Sequence, residues 1–496
     1  MRSVLRRLPT FKAPLRLRVR GLVALATALT ATVSSGCGGE AKGPPISVEI
    51  ARSSPVAGMQ DDRVAYADQD PSERVGRMAD SGAAVIRVDL FWYEVAPTRP
   101  VNAADPADPA YRWDAYDRVV QAAEENDVEV LFAVYGTPAW AADPDVVLPE
   151  GIGATAARPN DAVDFGAFAT AAAARFSPRG VRKWEAWNEP NTRFFLSPQY
   201  ERQGARWVAT SPKTYSDLLK RFSEGIKSID PGATVAGGVT APTGDPCGVS
   251  CAVSSQPERP GRVKPDAFFA ALDGEGLRPP MDIVSHHPYP ASKPREATLP
   301  NRNYVDLYNL QVLTAAIDRT YLRGSKLWLT EYGFGTRAVT QYPLHFTPQE
   351  QAIYIVDAFE RIRTNSRVEM LVYYLLQDHS EWASGLLDVD GSAKAGLAAH
   401  ALPFGVVSGA PPSEGMRLAG QVRATPGRTQ VRIEWRSGDA WRRLVVATTT
   451  ADGSFAVRIP PGVPVTLRAV WTGMARSGLE VTWTSPEVSL PAPAGK

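Results

Sequence analysis

The 496-residue chain has only three cysteines and five histidines, and neither type is spaced for a metal centre. Cys247 and Cys251 stand four apart in "PCGVSCA" with no Cys or His pair beside them. His286-His287 lacks a third ligand at a metal-binding interval and lacks the glutamate-bearing helix motif of zinc peptidases. No metal and no organic cofactor is therefore expected. A Gly-rich phosphate loop after an early strand is missing, which argues against a doubly wound nucleotide-binding sheet. Charge of one sign is missing as well: 54 Lys and Arg offset 53 Asp and Glu, for a net +1. That balance offers nothing to nucleic acid. The apolar run of about 13 residues from Gly21 falls short of the ~20 needed to cross a bilayer. No internal repeat is visible.

What stands at the N-terminus instead is an export pattern. "MRSVLRRLPTFKAPLRLRVR" carries seven basic residues and no acid, and "GLVALATALTATVSSGC" is apolar, then small. Residues 1–37 read as a signal peptide. Cys37, directly after "SSG", sits where a bacterial lipoprotein is cleaved and lipidated, although Ser34 occupies a place usually held by leucine. Ordinary cleavage nearby is the alternative. The expected location is extracellular or at the cell surface, with membrane contact only through a lipid anchor. In an oxidising compartment a short-loop Cys247–Cys251 disulfide is expected. Oligomeric state is not legible.

Residues 38–45, "GGEAKGPP", read as a tether. From 46 to 403 short apolar runs alternate with helix-patterned stretches. The strand candidates are Pro55–Gln60, Ala84–Asp89, Glu129–Tyr135, Arg182–Asn188, Thr234–Val239, Asp282–His287, Lys326–Thr330 and Glu369–Leu375. Runs such as "VLFAV" and "KLWLT" are nearly all apolar, as strands buried on both faces require. "TPQE" opens one helix as a capping box with proline at its first position. Strand–helix alternation repeated eight times predicts an α/β fold, a (β/α)8 TIM barrel. After Pro403 the texture becomes short alternating runs divided by "PG", "SGD" and "ADG". Residues 414–491 read as an antiparallel, immunoglobulin-like β-sandwich.

Active sites of such barrels lie at the C-terminal ends of the strands. "KWEAWNEPN" ends strand four with Glu189, and "LWLTEYGFGT" ends strand seven with Glu331. Alternation along strand four predicts Glu185, Trp187 and Glu189 on one side. Two carboxylates at one barrel mouth suit glycoside hydrolysis: about 5–5.5 Å apart for a retaining enzyme, roughly 6.5–9.5 Å for an inverting one.

These two motifs together resemble the retaining glycoside hydrolases of clan A, and the chain is most similar within it to family 39 and its cellulase-like bacterial relatives. The likeness covers about residues 55–400. It implies that Glu189 is the general acid/base, Glu331 the nucleophile, and Asn188 a ligand of the hydroxyl beside the reacting carbon. It also implies that His287 and Tyr289 line the site, and that Arg87 lies near the nucleophile and keeps it ionised. By alternation His286 faces away. Glu185 reads as an interior residue in an ion pair, and a structural ion-pair role stands as the alternative for Arg87. Trp140 in "GTPAWA" and Trp382 in "DHSEWASG" are the aromatic candidates for stacking on sugar, with core packing the alternative; Trp92 and Tyr332 also follow strands. The expected partner is a plant, microbial or cell-wall polysaccharide or oligosaccharide. A glycan-binding surface protein without catalysis, or a transglycosidase, is the rival reading.

Overall fold

The computed structural model describes residues 43–66, 70–293, 303–339, 344–407 and 415–490; the expected signal peptide, Cys37 and most of the tether lie outside them. Eight strands close into a parallel barrel: β1 (Val56–Gln60), β2 (Val85–Phe91), β3 (Glu129–Tyr135), β4 (Lys183–Ala186), β5 (Thr234–Thr240), β6 (Ile283–His286), β7 (Leu327–Tyr332) and β8 (Val368–Tyr374). Each overlaps a predicted run. The principal helices between and after them are α1 (Ser72–Asp80), α2 (Asp114–Glu125), α3 (Ala162–Phe176), α4 (Ser211–Ile229), α5 (Pro265–Leu272), α6 (Gln311–Ile317), α7 (Pro348–Thr364) and α8 (Ala395–Ala401). The capping box is present: the Thr347 side chain accepts from the Glu350 amide, and the Glu350 carboxylate accepts from the Thr347 amide.

The barrel interior is layered. Val85, Leu131, Ala236, Ile283, Trp328, Met370 and Val372 form a separate apolar floor. Above it the inward side chains turn polar: Arg87, Glu185, Ser285 and Thr330 are all completely buried. The carboxylates of Glu331 and Glu189 lie at the mouth above this polar layer. Outside the barrel, aromatic and aliphatic side chains fill the space between strands and helices. Phe132, Phe165, Phe168, Phe176, Trp92 and Trp184 form its thickest part.

The second body is a two-sheet sandwich. One sheet runs in the order Ser47–Glu49, Ser454–Ile459, Met416–Gln421, Phe404–Val406; the other contains Ala440–Thr448, Gln430–Ser437, Val465–Met474, Glu480–Thr484 and Val488–Leu490. Leu418, Phe455 and Val457 of the first sheet pack with Ile433, Leu467 and Trp471 of the second. Here the expected division differs from the structure. Ser47–Glu49, expected in the barrel domain, pairs antiparallel with Ser454–Ile459, in the register Ser47↔Arg458 and Glu49↔Ala456. Phe404–Val406, placed between the domains, pairs with Leu418–Gly420. The sandwich is therefore closed by chain from both ends of the barrel.

The two bodies meet through hydrogen bonds as well as packing. Ser477 Oγ donates to Asp80 Oδ2 at 2.8 Å, and Trp483 Nε1 donates to the Asp80 carbonyl at 3.1 Å. Buried Arg423 donates to the His400 carbonyl at 3.0 Å and lies 4.9 Å over the Phe359 ring. Gly82, at φ 98°, admits this approach: a Cβ there would stand 2.4 Å from that of Arg423.

Candidate active site

Glu189 reaches the barrel mouth through a break in the strand. Regular pairing ends at Ala186, and Trp187 (φ 73°) and Glu189 (φ 39°) are both left-handed, a conformation costly for residues with a Cβ. The break corrects the expected alternation. Trp187 turns outward, with its ring 5.2 Å from Phe165 of α3 and its Nε1 donating to the Phe195 carbonyl at 2.8 Å. Glu185 stays inside, and Glu189 is carried back over the mouth.

Glu331 is delivered by a different device. The β7–β8 register shifts between Leu329↔Leu371 and Tyr332↔Tyr373, so one extra residue is accommodated on β7. Thr330 and Glu331 then both face inward. Thr330 Oγ1 lies 2.7 Å from Ser285 Oγ, which donates to Glu185 Oε1 at 2.5 Å, while Leu329 and Tyr332 pack in the outer core.

Around Glu331 the partners are specific. Arg87 Nη1 donates to its Oε1 at 2.7 Å, and the Tyr289 hydroxyl donates to its Oε2 at 3.0 Å. The same arginine donates from Nε to Glu185 Oε2 at 2.7 Å, from Nη1 to Gln60 Oε1 at 2.7 Å, and from Nη2 to Asn188 Oδ1 at 2.8 Å. Among the described residues no arginine or lysine forms an ion pair with Glu189. Its Oε1 lies 3.0 Å from His287 Nδ1, and that nitrogen is 3.7 Å from Glu331 Oε2. One nitrogen of His287 and one oxygen of each glutamate lie within 4.8 Å of one another. Three such groups could share a small ion, but Arg87 already supplies positive charge at Glu331.

The electrostatics separate the two acids. Their side chains are 17% and 13% exposed to the cleft, with protein on the other sides, and burial pushes both carboxyls up, to about 7. They titrate as a pair, so the asymmetry of their contacts decides which loses its proton first. Glu331 has the guanidinium at 2.7 Å and the tyrosine hydroxyl, so it ionises first; Glu189 keeps the proton. Burial pushes His287 down to about 4, so the ring between them is neutral at neutral pH. Burial also opposes the charge on Arg87, but Glu185, Glu331 and Asp89 outweigh it and hold the guanidinium protonated.

The predicted site residues divide clearly. Glu189, Glu331, Arg87, Asn188, His287 and Tyr289 come together. Trp382 joins them at the edge, its ring 5.5 Å from Tyr289 and 5.4 Å from Tyr374. Trp140 does not join. Its Nε1 donates to the Ala96 carbonyl at 2.7 Å, its ring meets Trp92 edge-on at 5.6 Å, and Arg99 covers it at 4.5 Å. The loop it occupies folds back on the helical layer, so packing claims this ring. Trp92 and Tyr332 are buried. His286 faces away, held by Thr240 Oγ1 and the Val305 carbonyl. Cys247 and Cys251 form a disulfide.

Sequence reading missed Gln60, Asp62 and Asp89, which extend the polar layer beside Arg87. Gln60 Nε2 bridges Asp62 and Asp89 at 3.2 Å each, and the Tyr374 hydroxyl donates to Asp62 at 2.5 Å. The signal was present in "IRVDL": Arg87 and Asp89 are two apart on an otherwise apolar strand and so share its inward face.

A profile of the Cellulase family (glycosyl hydrolase family 5) matches residues 52–369. The chain belongs to this family. Glycosyl hydrolase family 5 is a clan A family, so the clan inferred from the two motifs is the right one. The protein is a glycosidase acting on O-glycosyl compounds. Solved structures with the same fold include family 39 enzymes, the more particular likeness read from the sequence. One is a family 39 glycoside hydrolase from the gut symbiont Bacteroides cellulosilyticus WH2, at 18% identity and TM-score 0.52, covering 82% of this chain and 81% of that one. Another is a monomeric beta-xylosidase from Caulobacter crescentus CB15, at 14% identity and TM-score 0.51, covering 83% and 98%. A third is a glucosidase from Croceicoccus marinus, at 13% identity and TM-score 0.50, covering 84% and 98%. No curated protein matches the sequence.

Proposed function

We propose that this glycosidase retains anomeric configuration by double displacement. The observation that carries the reading is the approach of a Glu189 oxygen to a Glu331 oxygen within 4.8 Å. That close approach of the nearest oxygens supports direct attack rather than the roughly 6.5–9.5 Å carboxyl separation of an inverting enzyme. In the first step Glu331 attacks the anomeric carbon, the bond to the leaving oxygen breaks, and Glu189 gives that oxygen its proton. In the second step Glu189 takes a proton from water, whose oxygen displaces Glu331 from the same carbon. Arg87 and Tyr289 hold the Glu331 carboxylate aligned, and Trp382 packs behind Tyr289 at the rim.

The substrate class we infer is an oligosaccharide or polysaccharide outside the cell. The export pattern at residues 1–37 and the Cys247–Cys251 disulfide support an exported enzyme, anchored by lipid if Cys37 is the processed terminus. β-Xylosides and glucosides head the panel to screen, because a beta-xylosidase and a glucosidase share this fold.

The test follows the product's configuration by NMR on the first aryl glycoside that is cleaved. Retention is expected, with activity lost in Glu331→Gln. Azide should revive Glu331→Gly and give a glycosyl azide of inverted configuration. Inverted product from the wild type would overturn the mechanism. Equal inactivity of wild type and Glu331→Gln, with both binding polysaccharide, would favour a glycan-binding protein.

A further inference from the structure

Directly after Glu189 the chain turns tightly, the Thr192 amide donating to the Glu189 carbonyl at 2.9 Å, and Arg193 and Phe194 follow. A second loop, bearing Arg262, is paired against this turn. The Arg193 amide donates to the Gly261 carbonyl at 2.8 Å, and Thr192 forms a bridge with Arg262. The pairing brings two guanidinium groups to one ring: Arg193 lies 5.8 Å and Arg262 5.7 Å from the centroid of Phe194. Phe194 is 47% exposed, unusual for a side chain of this size and apolarity. Arg193 is fixed by its passage over Gly261, where a Cβ would stand 2.7 Å from its Cδ and 3.0 Å from its Nε.

Among the described residues neither guanidinium has an ion-pair or side-chain hydrogen-bond partner, although both are half-buried. Asp245, which touches this loop, spends its Oδ2 on the amides of Gly261 and Arg262 at 2.7 and 2.9 Å. Beyond Arg193 the adjoining cleft is lined by Arg259 and Glu258. Arg259 in turn lies 5.9 Å over Trp207. Two cations on one exposed ring repel each other, and an anion between them relieves that repulsion while accepting planar, paired hydrogen bonds.

The location follows from charge and connectivity. Arg262 is near enough for its charge to lower the proton affinity of Glu189 and of the Tyr304 hydroxyl. Arg87, Tyr289 and Trp382 lie on the Glu331 side. The arginine pair therefore flanks the acid/base, where the leaving group departs. We propose that Arg193, Phe194 and Arg262 form an acceptor subsite for a sugar residue bearing an anionic substituent, its ring face on Phe194 and its carboxylate or sulfate between the guanidiniums. The assignment to the leaving-group side rests on the retaining-glycosidase reading; the preference for acidic sugars does not.

The experiment measures binding by calorimetry to the full chain carrying Glu331→Gln, which prevents turnover. Three probes of similar length are compared: a glucuronic-acid-bearing xylo-oligosaccharide, a sulfated xylo-oligosaccharide with no carboxylate, and a neutral xylo-oligosaccharide. At least one acidic probe should bind about tenfold or more tightly than the neutral one, as expected of charge-assisted hydrogen bonds. The stronger acidic probe tells carboxylate from sulfate. The advantage should vanish in Arg193→Gln/Arg262→Gln and shrink in 0.5 M NaCl. It should be partly kept in Arg193→Lys/Arg262→Lys, which controls for folding alongside a melting curve. Equal affinity for acidic and neutral probes would overturn the proposal, as would an acidic preference that survives the Gln pair. A wild type that cleaves no glycoside but keeps an arginine-dependent acidic preference would sink the catalytic reading and leave this one standing.

Discussion

Arg87 and Glu331 form an ion pair at 2.7 Å in which the arginine is fully buried and the glutamate opens to the cleft. The arginine cannot move toward solvent, because Glu185, also fully buried, holds its Nε at 2.7 Å. Glu331 is thus stabilised as a carboxylate, the form the proposed nucleophile must take.

Arg87→Met should lower kcat/KM on an aryl glycoside by about 100-fold or more, the scale set by loss of one preorganised charge contact. The pH–rate profile carries the finer test. Arg87 favours ionised Glu331, so without it the acid limb moves to higher pH. The same change leaves Glu185 buried with Ser285 as its remaining side-chain hydrogen-bond partner among the described residues. Stability should fall by roughly 3–5 kcal/mol, and adding Glu185→Gln should recover part of it. An unmoved acid limb in a folded Arg87→Met variant would show that Arg87 is only structural.

The acid/base should limit activity from the other side. In the proposed mechanism Glu189 must be protonated to act, so kcat/KM should decline as pH rises through about 7. The same elevation has a consequence for stability. A carboxyl raised from 4.5 in the unfolded chain to about 7 in the fold holds its proton more tightly when folded. Its stabilising contribution is complete below pH 4.5 and is lost between there and 7. Glu189→Gln should therefore melt above wild type at pH 8 and close to it at pH 4. A melting difference that does not change with pH would contradict the assignment.

The barrel should not be separable at Pro403. A fragment of residues 46–403 keeps Ser47–Glu49 but loses the strand it pairs with, and it uncovers Phe359, over which Arg423 lies. It should melt lower than the full chain or aggregate. Gly82→Ala in the full chain should cost about 2 kcal/mol or more, from φ 98° and the contact with Arg423. A fragment as stable as the whole would mean that the sandwich is an independent attachment.

These cases show where the sequence was legible. The eight barrel strands could be read because each is buried on both faces and therefore apolar, with helix punctuation between. Glu189 and Glu331 could be read because both end such strands. The left-handed residues at Trp187 and Glu189 could not, since alternation assumes an unbroken strand. Nor could the extra residue on β7, which depends on pairing with β8. Ser47–Glu49 is three largely exposed residues whose partner lies some four hundred positions away, so no local pattern marks it. Trp140 has the polar flanks of a ligand contact, but its loop folds onto Trp92, and only the tertiary path decides that.

The most direct test of the account is to treat the enzyme with a 2-deoxy-2-fluoro glycoside of the sugar it cleaves and to locate the label by peptide mass spectrometry. One stoichiometric glycosyl ester is expected, on Glu331, with activity returning as the label turns over. A label on Glu189, or inactivation with no covalent adduct on a protein whose product is inverted, would contradict it.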